Sequence, residues 1–186
     1  MAITVPSGKL DHIDFVLAQI NQIRFALAAS TSKVHADTTS SQSGDSQGGY
    51  TLAAYSVSAA NGNGTLANLT ALCTDLYMKY VAHINDTSAH KVADTTNTLA
   101  ETLASVSPAT GTLANCITFL NDLHTKYTAH IGSTTFHCTA DATNTDASAA
   151  AADQPTSDTR ANALKTAFNA HEANALAGSG FIVVNP

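Results

Sequence analysis

Residues 64–98 read GTLANLTALCTDLYMKYVAHINDTSAHKVADTTNT, and residues 111–145 read GTLANCITFLNDLHTKYTAHIGSTTFHCTADATNT. The two stretches align without a gap and are identical at 19 of 35 positions. The identities include Gly, Leu, Asn, Asp, Lys, Tyr, Ile and His, so the richness of the chain in Ala and Thr does not explain the match. The chain therefore contains a tandem duplication, and a repeated structural unit is the first prediction.

Two weaker copies flank this pair. The degenerate first copy spans residues 10–40, where His35 is in register with His90 of the second copy. The truncated fourth copy spans residues 158–177, where His171 aligns with His130 of the third copy. We expect such degenerate terminal copies to cap the array, because each has a neighbour on one side only.

Both terminal copies lack part of the repeated histidine motif. Ala28 stands where the first copy would have its first histidine, and Gly178 stands where the fourth copy would have its second. We therefore expect neither terminal copy to complete the motif.

Each copy begins with a predicted helix. Apolar residues recur at spacings of three and four, which is the pattern of a helix with one buried face. In the two full copies this face comprises Leu66, Leu69, Cys73, Leu76, Tyr80 and Ile84, and then Leu113, Ile117, Leu120, Leu123, Tyr127 and Ile131. The predicted helix starts are Asp11, the pairs Gly64-Thr65 and Gly111-Thr112, and the pair Ser157-Asp158.

The predicted fold class is mainly α, a helical repeat or four-helix bundle-like array within a single domain of four quasi-repeats over residues 1–186. An antiparallel arrangement is the economical way to bury four such faces. The connections are far longer than the usual bundle loop of about 2 to 8 residues. Residues 38–49 are polar and predict a flexible linker, and residues 51–60 and 98–106 each predict a short helix or strand. Short extended arms are predicted at both termini, at residues 2–6 and 178–186.

The composition restricts the classes of partner. Lys and Arg total 8 against 14 acidic residues, the net charge is −6, and the sequence has no basic cluster that would bind nucleic acid. No run of about 18 apolar residues is present, so we expect no membrane span. Alanine and threonine number 34 and 26, so the apolar core is expected to be thin and to need help from neighbouring chains.

The cysteines and the absent catalytic motifs argue against an enzyme. Cys73 and Cys116 lie on the apolar helix faces, where a buried, inert thiol is expected. Cys138 is the odd third cysteine, for which a free thiol or an intermolecular disulfide remains open. The sequence has no GxSxG, HExxH, GxGxxG or phosphate-binding loop motif, so we predict that the protein is not an enzyme.

The repeated motif KYxAHI, followed by a second His and then ADxTNT, has two interpretations. In the first, imidazole and carboxylate groups bind a divalent metal ion such as Zn, Ni or Mn, with one equivalent site in each full copy. Six residues separate the paired histidines, which is more than the usual zinc-site spacing and disfavours this interpretation. The candidate ligands are His83, His90, Asp94, His130, His137 and Asp141.

In the second interpretation the same residues fix the local structure. The first histidine of each copy hydrogen-bonds the free carbonyl groups at its helix end. The aspartate forms an Asx-turn, and its carboxylate accepts a hydrogen bond from the second histidine. The asparagine then caps the segment that follows. The remaining positions of this structural motif are Lys79, Tyr80, Asn97, Lys126, Tyr127 and Asn144.

The string YxAH, a spacer, His and ADxTN resembles a repeat of Ala/Thr-rich virion structural proteins of tailed bacteriophages. This resemblance implies a homo-oligomeric, non-enzymatic component of the particle that contacts other virion proteins. It would serve as a capsid decoration or cement protein, a head fibre, or a neck or tail protein. We expect it to be made in the host cytoplasm without a signal peptide. A metal-binding repeat module with paired His/Asp sets and a subunit of an extracellular filament are the alternatives; apart from that metal, no cofactor is expected.

Overall fold

The computed structural model describes residues 55–86, 90, 92–137 and 140–173, and within these ranges the protein is mainly α. The described helices are α1 (Leu66–Ile84), α2 (Leu103–Val106), α3 (Leu113–Ile131) and α4 (Gln154–Ala173). The prediction that the fold is mainly α is thus confirmed, and residues 98–106 contain a short helix, as one of the two options proposed. The described residues of the 51–60 segment, 55–60, form neither a helix nor a strand. The first copy, the linker at 38–49 and the arms at 2–6 and 178–186 lie outside the described residues, as do Cys138 and the end of the fourth copy.

The helix starts follow capping side chains. Thr65 and Thr112 cap α1 and α3 as predicted, since their side chains accept hydrogen bonds from the amides of Asn68 and Asn115. The predicted cap at Ser157-Asp158 is wrong, because α4 begins earlier, at Gln154. There the Asp153 carboxylate accepts from the Thr156 amide at 2.9 Å, and the Thr156 hydroxyl accepts from the Asp153 amide at 3.0 Å, a reciprocal capping pair.

The three long helices run parallel. Equivalent residues from all three line one interior space, namely Leu76, Leu123 and Leu164 in one layer and Tyr80, Tyr127 and Phe168 in the next. The next turn brings three histidines together at the C-terminal ends. The expected antiparallel arrangement is therefore wrong, and the long connections have a physical reason: each must return over the full length of a helix, about 28 Å for 19 residues.

The returning segments lie against the helices and are held by asparagine side chains. Asn121 receives a hydrogen bond from the Ala151 amide and donates to its carbonyl, both at 3.0 Å, which fixes the third copy's return along α3. On α4, Asn169 makes the same paired contacts with Val57 at 2.7 and 3.0 Å, and Asn162 makes them with Gly62. The segment that leads into α1 therefore packs along α4, and the three-helix arrangement closes on itself.

Most residues of the predicted apolar faces form the core, but Leu66 is exposed and Leu113 and Ile117 are only partly buried. Leu69, Cys73 and Cys116 are fully buried, and both cysteines are free thiols, as expected. The short helix α2 packs against α1 and α3 and buries Val106 between them. None of the described helices is long and apolar enough to cross a membrane.

Replacing Leu123 by Ala should lower the free energy of unfolding by about 2–5 kcal/mol, because Leu123 is 2% exposed and its loss leaves a cavity between three helices. Met78→Ala is the matched control: Met78 is 46% exposed, and its removal should change stability by about 0.5 kcal/mol at most. Urea denaturation followed by circular dichroism measures both values. Equal effects would contradict the burial of Leu123 between the three helices.

Candidate metal centre

Five histidine side chains meet where the parallel helices end. His83, His130 and His171 stand in the last turns of α1, α3 and α4. His90 and His137 stand in the loops that follow α1 and α3. All five are between 0 and 5% exposed, so the cluster is enclosed by protein.

The Nε2 atoms of these rings point at one another. The Nε2 atom of His83 lies 3.0 Å from that of His130, 3.2 Å from that of His90 and 3.3 Å from that of His171. The nitrogen atoms of His83, His90, His130 and His137 all lie within 4.8 Å of one another. These four rings therefore surround a common centre, and His171 adds a fifth ring whose Nε2 atom lies against that of His83.

The other nitrogen of each loop histidine is fixed by the backbone. The Nδ1 atom of His90 lies 2.9 Å from the carbonyl oxygen of Asp86, and that of His137 lies 3.2 Å from the carbonyl oxygen of Ser133. A carbonyl oxygen only accepts hydrogen bonds, so both Nδ1 atoms carry the proton. Each of their Nε2 atoms consequently carries a lone pair that faces the centre.

The Nδ1 atom of each helix histidine is held by a carboxylate. Asp94 holds His130 at 2.8 Å, Asp141 holds His171 at 2.9 Å, and Glu172 contacts Nδ1 of His83. Each aspartate thus orients the histidine of the next copy rather than one of its own. A carboxylate behind an imidazole is the usual outer partner of a metal-bound histidine, because it fixes the ring and raises its basicity.

The aspartates are themselves built into rigid turns, as predicted. Oδ1 of Asp94 accepts hydrogen bonds from the amides of Thr96 and Asn97, both at 2.9 Å, and its Oδ2 accepts from the Asn97 side chain at 2.7 Å. The Asp94 amide in turn donates to the carbonyl of Ile84 at 2.7 Å. Asp141 repeats these contacts with Thr143, Asn144 and Ile131, so the two full copies have the same loop structure.

The tyrosines of the motif anchor the same loops. The Tyr80 hydroxyl donates to the carbonyl of Asn97 at 2.8 Å, and the Tyr127 hydroxyl donates to the carbonyl of Asn144 at 2.6 Å. The helix and the loop of one copy are therefore tied together one turn below the histidine cluster. Lys79 and Lys126 lie half-buried on the outer sides of α1 and α3.

The protonation of the cluster follows from this environment. Burial raises the pKa of Asp94 and of Asp141, but hydrogen bonds from His130 and Asn97, and from His171 and Asn144, outweigh burial and hold both pKa values below their usual range. Burial lowers the pKa of His90 to about 3, of His137 to about 2 and of His171 to about 4. The aspartates are thus charged and these imidazoles neutral near pH 7.

The five described rings form one packed cluster. Eight pairs among them have ring centroids 4.4–5.9 Å apart. His130 contacts each of the other four rings, so it lies at the middle of the cluster.

The structure corrects several sequence predictions. Among the described residues, Nδ1 of His83 and of His130 faces a carboxylate instead of a free carbonyl at the helix end. Nδ1 of His90 and of His137 faces a backbone carbonyl instead of an aspartate. The histidines of both full copies share one cluster instead of forming two equivalent sites. Asp94 and Asp141, which the metal interpretation proposed as ligands, lie on the Nδ1 side of the rings and orient them.

Two residues of the cluster were missed as site residues. His171 belongs to the truncated copy. Its alignment with His130 could have identified it as a site residue. Glu172 occupies the position of Ile84 and Ile131 in the other copies, so the repeat itself gives no reason to expect a carboxylate there.

Acid should destabilise this cluster. His90, His137 and His171 are neutral when folded, whereas in the unfolded chain each takes up a proton below about pH 6.5. The free energy of unfolding is therefore complete above about pH 6.5 and falls as the pH is lowered toward 4, by about 1.4 kcal/mol per pH unit for each proton bound. Urea midpoints measured between pH 7.5 and 4.5 test this prediction, and a constant midpoint would contradict it. His124→Ala should keep the same pH dependence, because His124 lies outside the cluster and contacts Asp146.

Comparisons with known proteins yield no relative for this chain. No protein-family profile, no curated protein sequence and no solved structure matches it.

Proposed function

We propose that the protein is a metal-binding structural module in which His83, His90, His130, His137 and His171 bind one divalent transition-metal ion. The observation that carries the proposal is the orientation of the imidazole rings. Each Nδ1 faces a carbonyl or carboxylate oxygen, so each Nε2 presents a lone pair to the same buried centre.

Such a centre is unfavourable without a cation. Lone pairs about 3 Å apart, such as those on the Nε2 atoms of His83 and His130, repel one another in a buried site. A proton on Nε2 would relieve the repulsion, but burial lowers the pKa of His90, His137 and His171 to about 4 or below. A metal ion accepts every lone pair at once.

The geometry matches metal–imidazole bonding. An ion with metal–nitrogen distances of about 2.1 Å places adjacent octahedral ligands about 3.0 Å apart. The measured Nε2–Nε2 distances from His83 are 3.0, 3.2 and 3.3 Å. Neutral nitrogen ligands suit the later first-row ions, such as Fe, Co, Ni, Cu and Zn, rather than Ca or Mg, which prefer oxygen.

The position of the cluster also favours a cation. Parallel helices bring three C-terminal ends together, each with a partial negative charge of about half an electron. The carboxylates of Asp94, Asp141 and Glu172 add negative charge around the same point. A divalent ion at the centre compensates both, and it links three helices that would otherwise repel one another at this end.

The ion would serve to hold the fold together. The ligands come from three copies of the repeat, and all five rings are enclosed, so the centre joins α1, α3 and α4 as a cross-link. Binding energy at such a site adds to the folding energy of the domain. The virion role, the homo-oligomer, the filament alternative and the absence of enzymatic activity stay predictions from the sequence.

The proposal is tested by metal analysis of protein purified without a histidine tag. Wild type and His124→Ala should each hold one ion per chain by inductively coupled plasma mass spectrometry, after growth or refolding with Fe, Co, Ni, Cu and Zn. His130→Ala removes the ring adjacent to all the others and should bind the same ion at least tenfold more weakly.

Chelation provides the second readout. Removing the ion should lower the melting temperature of wild type and of His124→Ala, and it should have little effect on His130→Ala. A wild type that takes up none of these ions, or a His130→Ala variant that binds as tightly as His124→Ala, would show that the cluster is not a metal site.

A further inference from the structure

We propose that the centre holds iron as a one-electron redox couple in which the trivalent state is favoured. The inference rests on the proposed metal-binding function. The observation behind it is that three carboxylates, those of Asp94, Asp141 and Glu172, lie directly against the Nδ1 atoms of ligand rings.

The hydrogen bonds of Asp94 hold its carboxylate as an anion. Its Oδ1 atom accepts from two backbone amides, and its Oδ2 atom lies 2.7 Å from the side-chain nitrogen of Asn97. Amide N–H groups only donate, so they favour the ionised carboxylate, which in turn receives the Nδ1 proton of His130. Asp141 has the same set of contacts in its own loop and with His171.

An anion behind an imidazole changes what the ring offers to a metal ion. The carboxylate draws the Nδ1 proton toward itself, which raises the basicity of Nε2. A trivalent ion gains more from this than a divalent ion does, because its charge is larger. Three of the five rings, those of His83, His130 and His171, have such a partner. The set therefore donates more strongly than five imidazoles in water would.

The electric field at the centre acts in the same direction. The three long helices end here, and each C-terminal end contributes about half a negative charge. The five rings are 0–5% exposed, so water screens this charge poorly. A negative and buried environment stabilises the higher oxidation state of a metal ion and so lowers its reduction potential.

The number of rings narrows the choice of metal. Structural zinc is almost always bound by four ligands in a tetrahedron, whereas the proposed centre has five, and zinc does not change its oxidation state. Iron is bound by imidazole in haem and non-haem proteins, where axial ligands and hydrogen bonds set its potential. Among the ions that suit nitrogen ligands, iron therefore makes the fullest use of the three carboxylates.

The reaction moves one electron and no atoms. Divalent iron gives one electron to a one-electron acceptor and becomes trivalent, and every iron–nitrogen bond stays in place. The Nδ1 protons remain in their hydrogen bonds to carboxylates and carbonyls. Because the rings are enclosed, the electron passes without direct contact between the ion and its partner.

The experiment compares two variants that each lose one negative charge. Glu172→Gln keeps an oxygen that can accept from Nδ1 of His83, but it removes the charge beside that ring. Asp75→Asn is the matched control. Asp75 stands on the same helix as His83 but eight residues earlier, about 12 Å along the axis, where it accepts from the Ser58 and Ala59 amides.

The full chain of each protein is loaded with divalent iron-57 without oxygen and then brought to a fixed potential with ferricyanide and ascorbate. Mössbauer spectroscopy measures both oxidation states. Wild type should be predominantly trivalent in air. At one fixed potential, the ratio of trivalent to divalent iron should be about tenfold lower in Glu172→Gln, a shift of about 59 mV for one electron. Asp75→Asn should match wild type.

Two results would overturn the redox inference while leaving the metal site intact: wild-type iron that stays divalent in excess ferricyanide, or equal ratios in Glu172→Gln and Asp75→Asn. A wild type that binds none of iron, cobalt, nickel, copper and zinc would instead overturn the proposed function. If Glu172→Gln takes up no iron, Asp141→Asn replaces it in the same comparison. If that variant also fails, wild type decides alone, since complete and reversible oxidation without loss of iron supports the inference.

Discussion

The structure depends on one constraint: five imidazole lone pairs face a single buried point at the end of three parallel helices. Backbone carbonyls and carboxylates fix the opposite side of every ring, so none of the rings can turn its lone pair away without losing a hydrogen bond. This constraint explains the unusual direction of the helices. Helices whose ends must meet have to run parallel, and parallel helices require the long returning segments found between the copies.

The carboxylates make the three described copies interdependent. Asp94 of the second copy orients His130 of the third, Asp141 of the third orients His171 of the fourth, and Glu172 of the fourth contacts His83 of the second. Each copy therefore positions a ring that lies on its neighbour's helix. Damage to one loop is expected to disturb the ligand of the next helix, so the centre should form or fail as a unit.

The sequence predicted the elements better than their assembly. Periodic apolar residues located the long helices, Thr65 and Thr112 marked two of their starts, and the Asx-turns at Asp94 and Asp141 were correct. The shared centre was not predicted, because spacing rules describe ligands within one element, whereas these ligands come from three copies that meet only in the fold. Glu172 gave no signal at all, since the equivalent residues are Ile84 and Ile131.

The proposed metal centre would also account for how a chain so rich in small residues keeps this fold. The chain of 186 residues contains 34 alanines and 26 threonines, so the apolar area that each helix can bury is limited. The binding free energy of structural zinc in small peptides is about 10–16 kcal/mol. The free energy of unfolding of a typical domain is comparable, about 5–15 kcal/mol. Three helix ends and three carboxylates concentrate negative charge at one point. An ion bound there would therefore stabilise the parallel arrangement more than additional leucines at the opposite end of the helices. The repeated histidine motif is then the element of the sequence that specifies the fold.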